Sequence, residues 1–341
     1  MLEKPDLKDD TVLACLQDAY GLHVDTIAFL PLGADPNTAV YRAEADNTRP
    51  YFVKVRRGDF LAASVAVPKF LSDLGMKQVI PPLPTQTGDL WAKLEPYHVI
   101  LYPFVEGYNG FDVSLSAQQR IAFGQALKAF HAAAIPAELT WRVPREALAP
   151  RWRDSVRSFV NQSELVRHHD PVGKELAAFL QAQRQVIVEL VRRTEQLARI
   201  LQVQLSDFIL CHGDIHGWNL LLDNNGALYI VDWDTLIFAP KERDLMFVGS
   251  GLGGRGHTLE EEVSLFYQGY GQTQVNPVAI AYYRYERIVE DIALFCEQIL
   301  FSDDGEADRH QALTYLQSNF GSNSTIDVAY QLDMTGLGDV P

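Results

Sequence analysis

The fold is decided by His212-Gly213-Asp214-Ile215-His216-Gly217-Trp218-Asn219 and by the later segment Val231-Asp232-Trp233-Asp234. The strand-like run Phe208-Ile209-Leu210-Cys211 leads into the first segment, and a second apolar run, Leu220-Leu221-Leu222, leaves it. Between the second run and the later segment, Asp223-Asn224-Asn225-Gly226 is a hairpin-turn signal. The pattern therefore predicts a strand, a polar loop and a hairpin whose acidic residues meet at one rim.

That arrangement would bring Asp214, Asn219 and Asp232 close together. Two carboxylates and an amide oxygen are hard ligands of the kind that Mg²⁺ prefers. A carboxylate in a loop beside a metal ion can also accept a proton from a hydroxyl group. Phosphoryl transfer needs a positioned acceptor, a metal ion that neutralises phosphate charge, and a residue that orients the nucleophile. These residues therefore predict a metal-and-base site suited to phosphoryl transfer.

Composition limits the classes of protein to consider. The chain has 341 residues, 47% of them hydrophobic and 21% charged, which is enough for a packed core and about two domains. Its formal net charge of −15 argues against a nucleic-acid binder, which needs a basic surface against phosphates. The acidic balance is compatible with a cationic small-molecule partner, and equally with an ordinary acidic protein.

The three cysteines, Cys15, Cys211 and Cys296, are widely spaced and form no Cys-x-x-Cys pair. Neither a zinc site nor a disulfide framework is indicated, so a reduced, cytoplasmic setting is expected. The first ten residues contain no apolar signal region, and no apolar run of about 18 residues occurs. Export and membrane insertion are therefore not expected.

Hydrophobic periodicity divides the chain into a sheet-rich beginning and a helical remainder. Strands are predicted at residues 24–30, 39–43, 51–55, 90–94, 98–102 and within 208–233. Helices are predicted at residues 7–20, 61–74, 117–134, 150–166, 174–205 and 276–300. We therefore predict an α+β protein with a small β-rich N-lobe at 1–103, a short glycine-rich hinge at 104–110 and a larger, mainly helical C-lobe at 111–341.

Several motifs resemble one known family. Residues 212–219 have the His-x-Asp-x-x-x-x-Asn spacing of the kinase catalytic loop, and Asp232-Trp233-Asp234 stands where kinases have Asp-Phe-Gly. Lys54 resembles the strand lysine that holds ATP phosphates. The chain is thus similar to the aminoglycoside phosphotransferase family, relatives of choline kinase with the bilobal protein-kinase-like fold. Four further segments, 33–38, 149–153, 239–247 and 282–291, resemble its spectinomycin phosphotransferase branch.

This resemblance implies a kinase that uses ATP and Mg²⁺. Asp214 would be the catalytic base, and Asn219 and Asp232 would bind Mg²⁺. His212 and Asp244 would support the catalytic loop. The residues implied in nucleotide binding are Lys54, Gly33, Asn37, Thr38, Phe104, Val105 and Glu106.

The resemblance also implies an acceptor: a hydroxyl of a small aminocyclitol such as spectinomycin, as in antibiotic-resistance kinases. A cationic acceptor favours acidic and aromatic lining. The candidate acceptor residues are Asp234, Tyr282, Tyr283 and Glu286. The alternative for Glu286, and for Glu290 one turn later, is an ion pair with Arg284 or Arg287.

One departure from the family pattern concerns Lys54. Kinase-like folds pair this lysine with a glutamate on the following helix. The predicted helix at 61–74 contains no glutamate, and Asp59 is the nearest acidic residue. Either Asp59 takes the place of the glutamate, or Lys54 is held differently.

Three alternatives remain open at this point. The same machinery can phosphorylate another small polyol or amino alcohol, because a fold does not determine its substrate. The missing helix glutamate is also compatible with a pseudokinase that binds nucleotide without transferring phosphate. Finally, His212-x-Asp214-x-His216 is a possible metal-hydrolase site, for which His168-His169 is the other tight histidine pair.

Overall fold

The computed structural model describes residues 3–336 apart from positions 34, 36, 46–49, 163–169, 205–206, 250–257, 303–304 and 322–323. His168 and His169 lie outside the described residues. The strands are β1 (Val24–Leu30), β2 (Thr38–Ala45), β3 (Tyr51–Arg57), β4 (Ala92–Leu94), β5 (Tyr97–Pro103), β6 (Gly107–Asn109), β7 (Ile209–Cys211), β8 (Leu220–Asp223), β9 (Leu228–Ile230) and β10 (Ile237–Ala239). The helices are α1 (Asp9–Tyr20), α2 (Ala63–Asp73), α3 (Ala117–His131), α4 (Ala137–Thr140), α5 (Arg151–Gln162), α6 (Pro171–Ala182), α7 (Arg184–Leu201), α8 (Glu242–Leu245), α9 (Leu259–Tyr270), α10 (Pro277–Phe301), α11 (Glu306–Ser318) and α12 (Thr325–Gly336).

The N-terminal region is built on a five-stranded antiparallel sheet with the order β1-β2-β3-β5-β4. Alternating side chains of β2 and β3, among them Tyr41, Val53 and Val55, are buried on one face. They pack against Val12 and Leu16 of α1 to form a hydrophobic core. The sheet-rich beginning and the helical remainder confirm the predicted fold class.

In the chain, residues 212–219 follow β7 and precede β8. β8 and β9 form the predicted hairpin, with Leu220 opposite Ile230. β7, in contrast, joins no strand of that hairpin and pairs with β10, which was not predicted. Residues 107–109 of the predicted hinge form β6, and this strand pairs with β8.

Helices α3 and α9 cross at very short distance. Each contributes one glycine to the crossing. A Cβ on Gly124 would overlap the carbonyl oxygen of Phe266, and a Cβ on Gly269 would overlap that of Ile121. Both clashes are with backbone, which cannot rotate away as a side chain can. Close packing therefore requires glycine at both positions.

Replacing Gly269 with alanine is expected to destabilise the protein. Alanine favours an isolated helix by up to about 1 kcal/mol over glycine, but overpacking a close contact costs about 1–3 kcal/mol, and here backbone must move. The expected result is a lower denaturant midpoint in chemical unfolding. The matched control is Gln268→Ala, at an exposed position of the same helix, where the change should stay within about 0.5 kcal/mol. Equal stability of Gly269→Ala and wild type would contradict the close crossing.

The later helices pack around α10, which contacts α5, α7, α11 and α12. Its start is capped by Asn276, whose side chain accepts the N–H groups of Val278 and Ala279. The single helix predicted at 174–205 is wrong. Two helices, α6 and α7, meet at Gln183 (φ −96°, ψ 7°), where no glycine or proline marks the break.

The chain forms two compact units. The first comprises Met1–Pro144, Asp214–Leu236 and Gly253–Gly271, and the second comprises Arg145–Gly213, Ile237–Leu252 and Gln272–Pro341. Strand pairing of β6 with β8, and the crossing of α3 with α9, place later segments in the first unit. The predicted lobe boundary at 104–110 stays a prediction. Among the described residues, no helix has the length and apolar character needed to cross a membrane.

Candidate active site

Two cations of β3 face two carboxylates that follow the hairpin. Lys54 and Arg56 are two residues apart, so they lie on the same face of the strand. Lys54 Nζ lies 2.9 Å from Asp232 Oδ1 and 2.7 Å from Asp234 Oδ2. Arg56 also forms an ion pair with Asp234. Asp234 is thus held by both cations.

The backbone around these carboxylates is firmly anchored. Asp232 adopts a left-handed conformation (φ 60°, ψ 70°), which is uncommon for a residue other than glycine. Trp233 is buried, its Nε1–H donates to the Ile230 carbonyl at 3.2 Å, and its ring makes an edge contact with Phe130. A buried tryptophan therefore holds the turn that presents Asp232 and Asp234 on either side of it. Unusual backbone geometry of this kind is typical of functional sites.

Lys54 carries its charge although it is 9% exposed. Burial alone would lower the pKa of Lys54, but the carboxylates of Asp232 and Asp234 outweigh this effect and hold it above its ordinary value. Within the described part of the chain, α2 contains no glutamate and Lys54 has no hydrogen bond or ion pair with Asp59. Lys54 is therefore held differently, by the two aspartates.

Among the described residues of 33–38, Asp35 makes hydrogen bonds to Asn37 and Thr38. Its carboxylate accepts the Asn37 N–H at 2.9 Å and the Thr38 hydroxyl at 2.7 Å, and its carbonyl accepts the Thr38 N–H at 3.2 Å. Arg56 Nη1 lies 3.5 Å from the same carboxylate. The amides of Asn37 and Thr38, two residues that the resemblance implies in nucleotide binding, are thus bonded to Asp35. Gly33 has φ 82°, a conformation that glycine adopts without strain.

The loop from Asp214 to Asn219 is closed by its own hydrogen bonds. Asn219 Nδ2 donates to the Asp214 carbonyl at 2.7 Å, which leaves Oδ1 as the side-chain atom able to ligate a cation. His216 Nδ1 accepts the Trp218 N–H at 3.2 Å. In the neutral imidazole the proton is then on Nε2, which lies 3.3 Å from Asp214 Oδ1. His216 thus orients the Asp214 carboxylate.

In the second compact unit, Asp244 supports the strand that leads into this loop. Its carboxylate accepts the backbone N–H of His212 at 2.9 Å and that of Gly213 at 2.7 Å. The His212 side chain is fully buried. Because these amides immediately precede Asp214 in the chain, the two bonds restrict the backbone on its N-terminal side.

Residues 104–106, which the resemblance implies in nucleotide binding, differ in the contacts that they already make within the protein. The Phe104 N–H donates to the Pro50 carbonyl at 3.0 Å. The Glu106 carboxylate forms an ion pair with Arg42, whose guanidinium lies 4.6 Å from the centre of the Phe104 ring. Among the described residues, no backbone hydrogen bond involves Val105.

Three of the four candidate acceptor residues are buried, and the fourth, Asp234, lies in the cluster with Lys54. Tyr282 and Tyr283 are 1% and 0% exposed within the second unit, and burial raises the pKa of both hydroxyls. Glu286 is 7% exposed and pairs with Arg153 at 3.3 Å. Burial raises the pKa of this carboxyl to about 7, against the opposing effect of Arg153. None of these three side chains presents a surface to a ligand, and Asp234 is bound to Lys54 and Arg56.

Residues 26–275 match the model of the APH phosphotransferase enzyme family. The chain belongs to this family. As a member it is a phosphotransferase, and the match spans both the β3 lysine and the catalytic loop. No curated protein sequence matches the chain.

Solved structures agree with the family assignment. The chain is 33% identical to the spectinomycin phosphotransferase APH(9)-Ia in its complex with ADP and spectinomycin, with a TM-score of 0.86, 97% of this chain and 99% of that chain covered. The AMP-bound complex of the same enzyme gives 30% identity, a TM-score of 0.82 and coverage of 95% and 98%. Choline kinase LicA from Streptococcus pneumoniae, 16% identical with a TM-score of 0.55 and coverage of 91% and 99%, shares the fold.

Two residues at the site of this phosphotransferase, Arg56 and His216, were not given these roles by the sequence analysis, although the spacing of each was a signal. Arg56 follows Lys54 at the two-residue spacing that places side chains on one face of a strand. His216 follows Asp214 at a similar interval in the loop. The pairing of both cations with Asp234 had no local signal, because 180 residues separate Lys54 from Asp234.

Proposed function

We propose that this APH-family enzyme transfers the γ-phosphate of ATP to a hydroxyl group of a small aminocyclitol such as spectinomycin. The observation that carries the proposal is the closed Asp214–Asn219 loop in the same compact unit as the Lys54–Asp232–Asp234 cluster. The likeness to the spectinomycin phosphotransferase over nearly the full length of both chains supports the choice of acceptor.

Asp214 is assigned the role of general base. Its carboxylate would accept the proton of the acceptor hydroxyl as the oxygen attacks the γ-phosphorus. His216 Nε2–H, 3.3 Å from Oδ1, keeps the carboxylate oriented, and the Asn219 bond to the Asp214 carbonyl fixes the loop beneath it. Proton acceptance and positioning are thus separate tasks of neighbouring residues.

Asn219 and Asp232 fit a magnesium ion. Asn219 has an amide oxygen that the Nδ2 bond leaves for a cation, and the Asp232 carboxylate is 52% exposed although it pairs with Lys54. Both are oxygen ligands, as Mg²⁺ requires. When bound, Mg²⁺ would neutralise charge on the transferring phosphates. Lys54 would contact the same phosphates, and Val105 would supply backbone contacts to adenine.

The pseudokinase alternative no longer has an observation in its favour. It rested on the missing helix glutamate, and Lys54 instead has two carboxylate partners. The metal-hydrolase alternative needs the His212 side chain at a metal, whereas that side chain is fully buried.

The proposal is tested by an acceptor panel with ADP release as the readout. Purified protein with MgATP should release ADP fastest with spectinomycin, and slowly with aminoglycosides, choline and aminopropanol. A higher kcat/KM for choline or aminopropanol than for spectinomycin would support kinase activity but show that the acceptor is a different compound. No ADP release above the acceptor-free background with any compound would contradict the proposal.

A further inference from the structure

Two large aromatic side chains are exposed beside the catalytic loop. Phe111 is 42% exposed and Trp218 is 53% exposed, and their ring centres are 5.6 Å apart at an angle of 48°. Contiguous exposed apolar surface is one mark of a ligand-binding site. We call this pair the aromatic wall.

The aromatic wall is a fixed part of the first unit. The Gly110 N–H donates to the Gly217 carbonyl at 2.8 Å and to the Leu220 carbonyl at 2.9 Å, which ties the segment before Phe111 to the loop that carries Trp218. Asn109 Oδ1 accepts the N–H groups of Phe111 and Asp112 at 2.8 and 3.0 Å. Both rings therefore project from backbone that is held by hydrogen bonds, so little ordering is needed when a ligand binds.

The aromatic wall is continuous with Asp214 through His216. The His216 ring centre is 6.2 Å from that of Phe111, and its Nε2 is 3.3 Å from Asp214 Oδ1. Asp112, next to Phe111 in the chain, adds an exposed second carboxylate. Aromatic faces attract cations, and a carboxylate next to Phe111 in the chain and another reached through His216 favour the same charge.

We propose that Phe111 and Trp218 form the wall of the acceptor site and bind an ammonium-bearing, saturated-ring acceptor. The proposal rests on the proposed function and names the residues that select its substrate. An ammonium group over the ring faces, close to Asp112, would leave a ring hydroxyl to approach Asp214. A neutral sugar of the same size lacks the charge, so it would bind the aromatic wall more weakly. Tyr282, Tyr283 and Glu286, the acceptor residues expected from the resemblance, are buried.

Acceptor binding provides a test that does not depend on turnover. Spectinomycin is titrated calorimetrically into the ADP-loaded protein and into two variants, Trp218→Ala and Trp141→Ala. Loss of a cation–π contact should raise the Kd of Trp218→Ala about tenfold. Trp141→Ala is the matched control because Trp141 is an exposed tryptophan of the same unit, 69% exposed, that contacts Arg142. Its Kd should equal that of wild type.

A second pair of measurements separates this proposal from the proposed function. Phe111→Leu should raise the spectinomycin Kd while KM for ATP, or ADP affinity where no turnover is found, stays unchanged. Binding that weakens in both wall variants supports the aromatic wall even if no phosphate is transferred. Unchanged spectinomycin affinity in Trp218→Ala and Phe111→Leu, or no measurable binding to wild type, overturns the proposal. Neither of these last two results bears on phosphorylation of another acceptor.

Discussion

Replacing Asp214 with asparagine is expected to lower kcat for phosphoryl transfer by about 10²–10⁴-fold, the range associated with loss of a general base. The amide cannot accept the acceptor proton. It is nearly the same size as the carboxylate, so the bond between Asn219 and the Asp214 carbonyl can persist. Steady-state kinetics with MgATP and the best acceptor would measure the change.

Nucleotide binding separates this loss of catalysis from misfolding. ADP should raise the melting temperature of Asp214→Asn by as much as that of wild type, because the assigned nucleotide contacts, Lys54 and Val105, are untouched. Asp73→Asn is a matched control, since Asp73 is an exposed aspartate of α2 that pairs, among the described residues, with Lys69 alone, and its kcat should not change. Turnover of Asp214→Asn near the wild-type rate would remove Asp214 from the role of base.

Asp234→Asn is expected to reduce kcat/KM for ATP by about 10–100-fold. A hydrogen bond to a charged group is worth about 1.5–3 kcal/mol, and about 1.4 kcal/mol corresponds to a factor of ten. Asp234 accepts such bonds from both Lys54 and Arg56. Without it, Lys54 retains only Asp232, the residue also proposed to bind Mg²⁺, so one carboxylate would have two competing partners.

The identity of the Lys54 partner can be decided by comparing two aspartates. Asp59→Asn is the control, because Asp59 is the acidic residue nearest to the start of α2 and contacts Arg56 only through its backbone carbonyl. Its kcat/KM for ATP should match wild type, and Asp234→Glu should recover part of the activity that Asp234→Asn loses. A large defect in Asp59→Asn together with a normal Asp234→Asn would show that the lysine depends on Asp59 during catalysis.

The hairpin and the catalytic loop could be predicted from the sequence because their signals are local. Residues 223–226 supply a turn sequence between two apolar runs, and β8 and β9 pair across it. The segment with Lys54 was predicted as a strand, and in the structure β3 pairs with β2 and β5. Motif spacing along a short segment needs no long-range information, which is why the sequence analysis could propose Asp214, Asn219 and Asp232 together.

Long-range pairing and burial were less predictable. β10 is only three residues long, which is too short for periodicity to indicate a strand. Its partner β7 lies on the other side of the β8–β9 hairpin in the chain, so no local signal predicts their pairing. Tyr282, Tyr283 and Glu286 looked suitable for an acceptor because they are aromatic and acidic. Yet α10 is surrounded by α5, α7, α11 and α12, and a helix packed on several sides buries polar residues that composition alone assigns to the surface.

The proposed acceptor site also depends on features that the sequence does not show. Phe111 and Trp218 are apolar side chains that a sequence pattern would place in a core. They are exposed because backbone bonds from Gly110 to Gly217 and Leu220 bring two loops together at the surface. Such a juxtaposition depends on loop geometry, for which the sequence carries no periodic signal.

The most direct test of the central claim is mass analysis of the products formed from MgATP and spectinomycin. The account predicts spectinomycin carrying one added phosphoryl group on a hydroxyl, in amounts equal to the ADP formed, and no such product with Asp214→Asn. Formation of ADP with inorganic phosphate and unmodified spectinomycin, or the same phosphorylated product from Asp214→Asn at the wild-type rate, would contradict it.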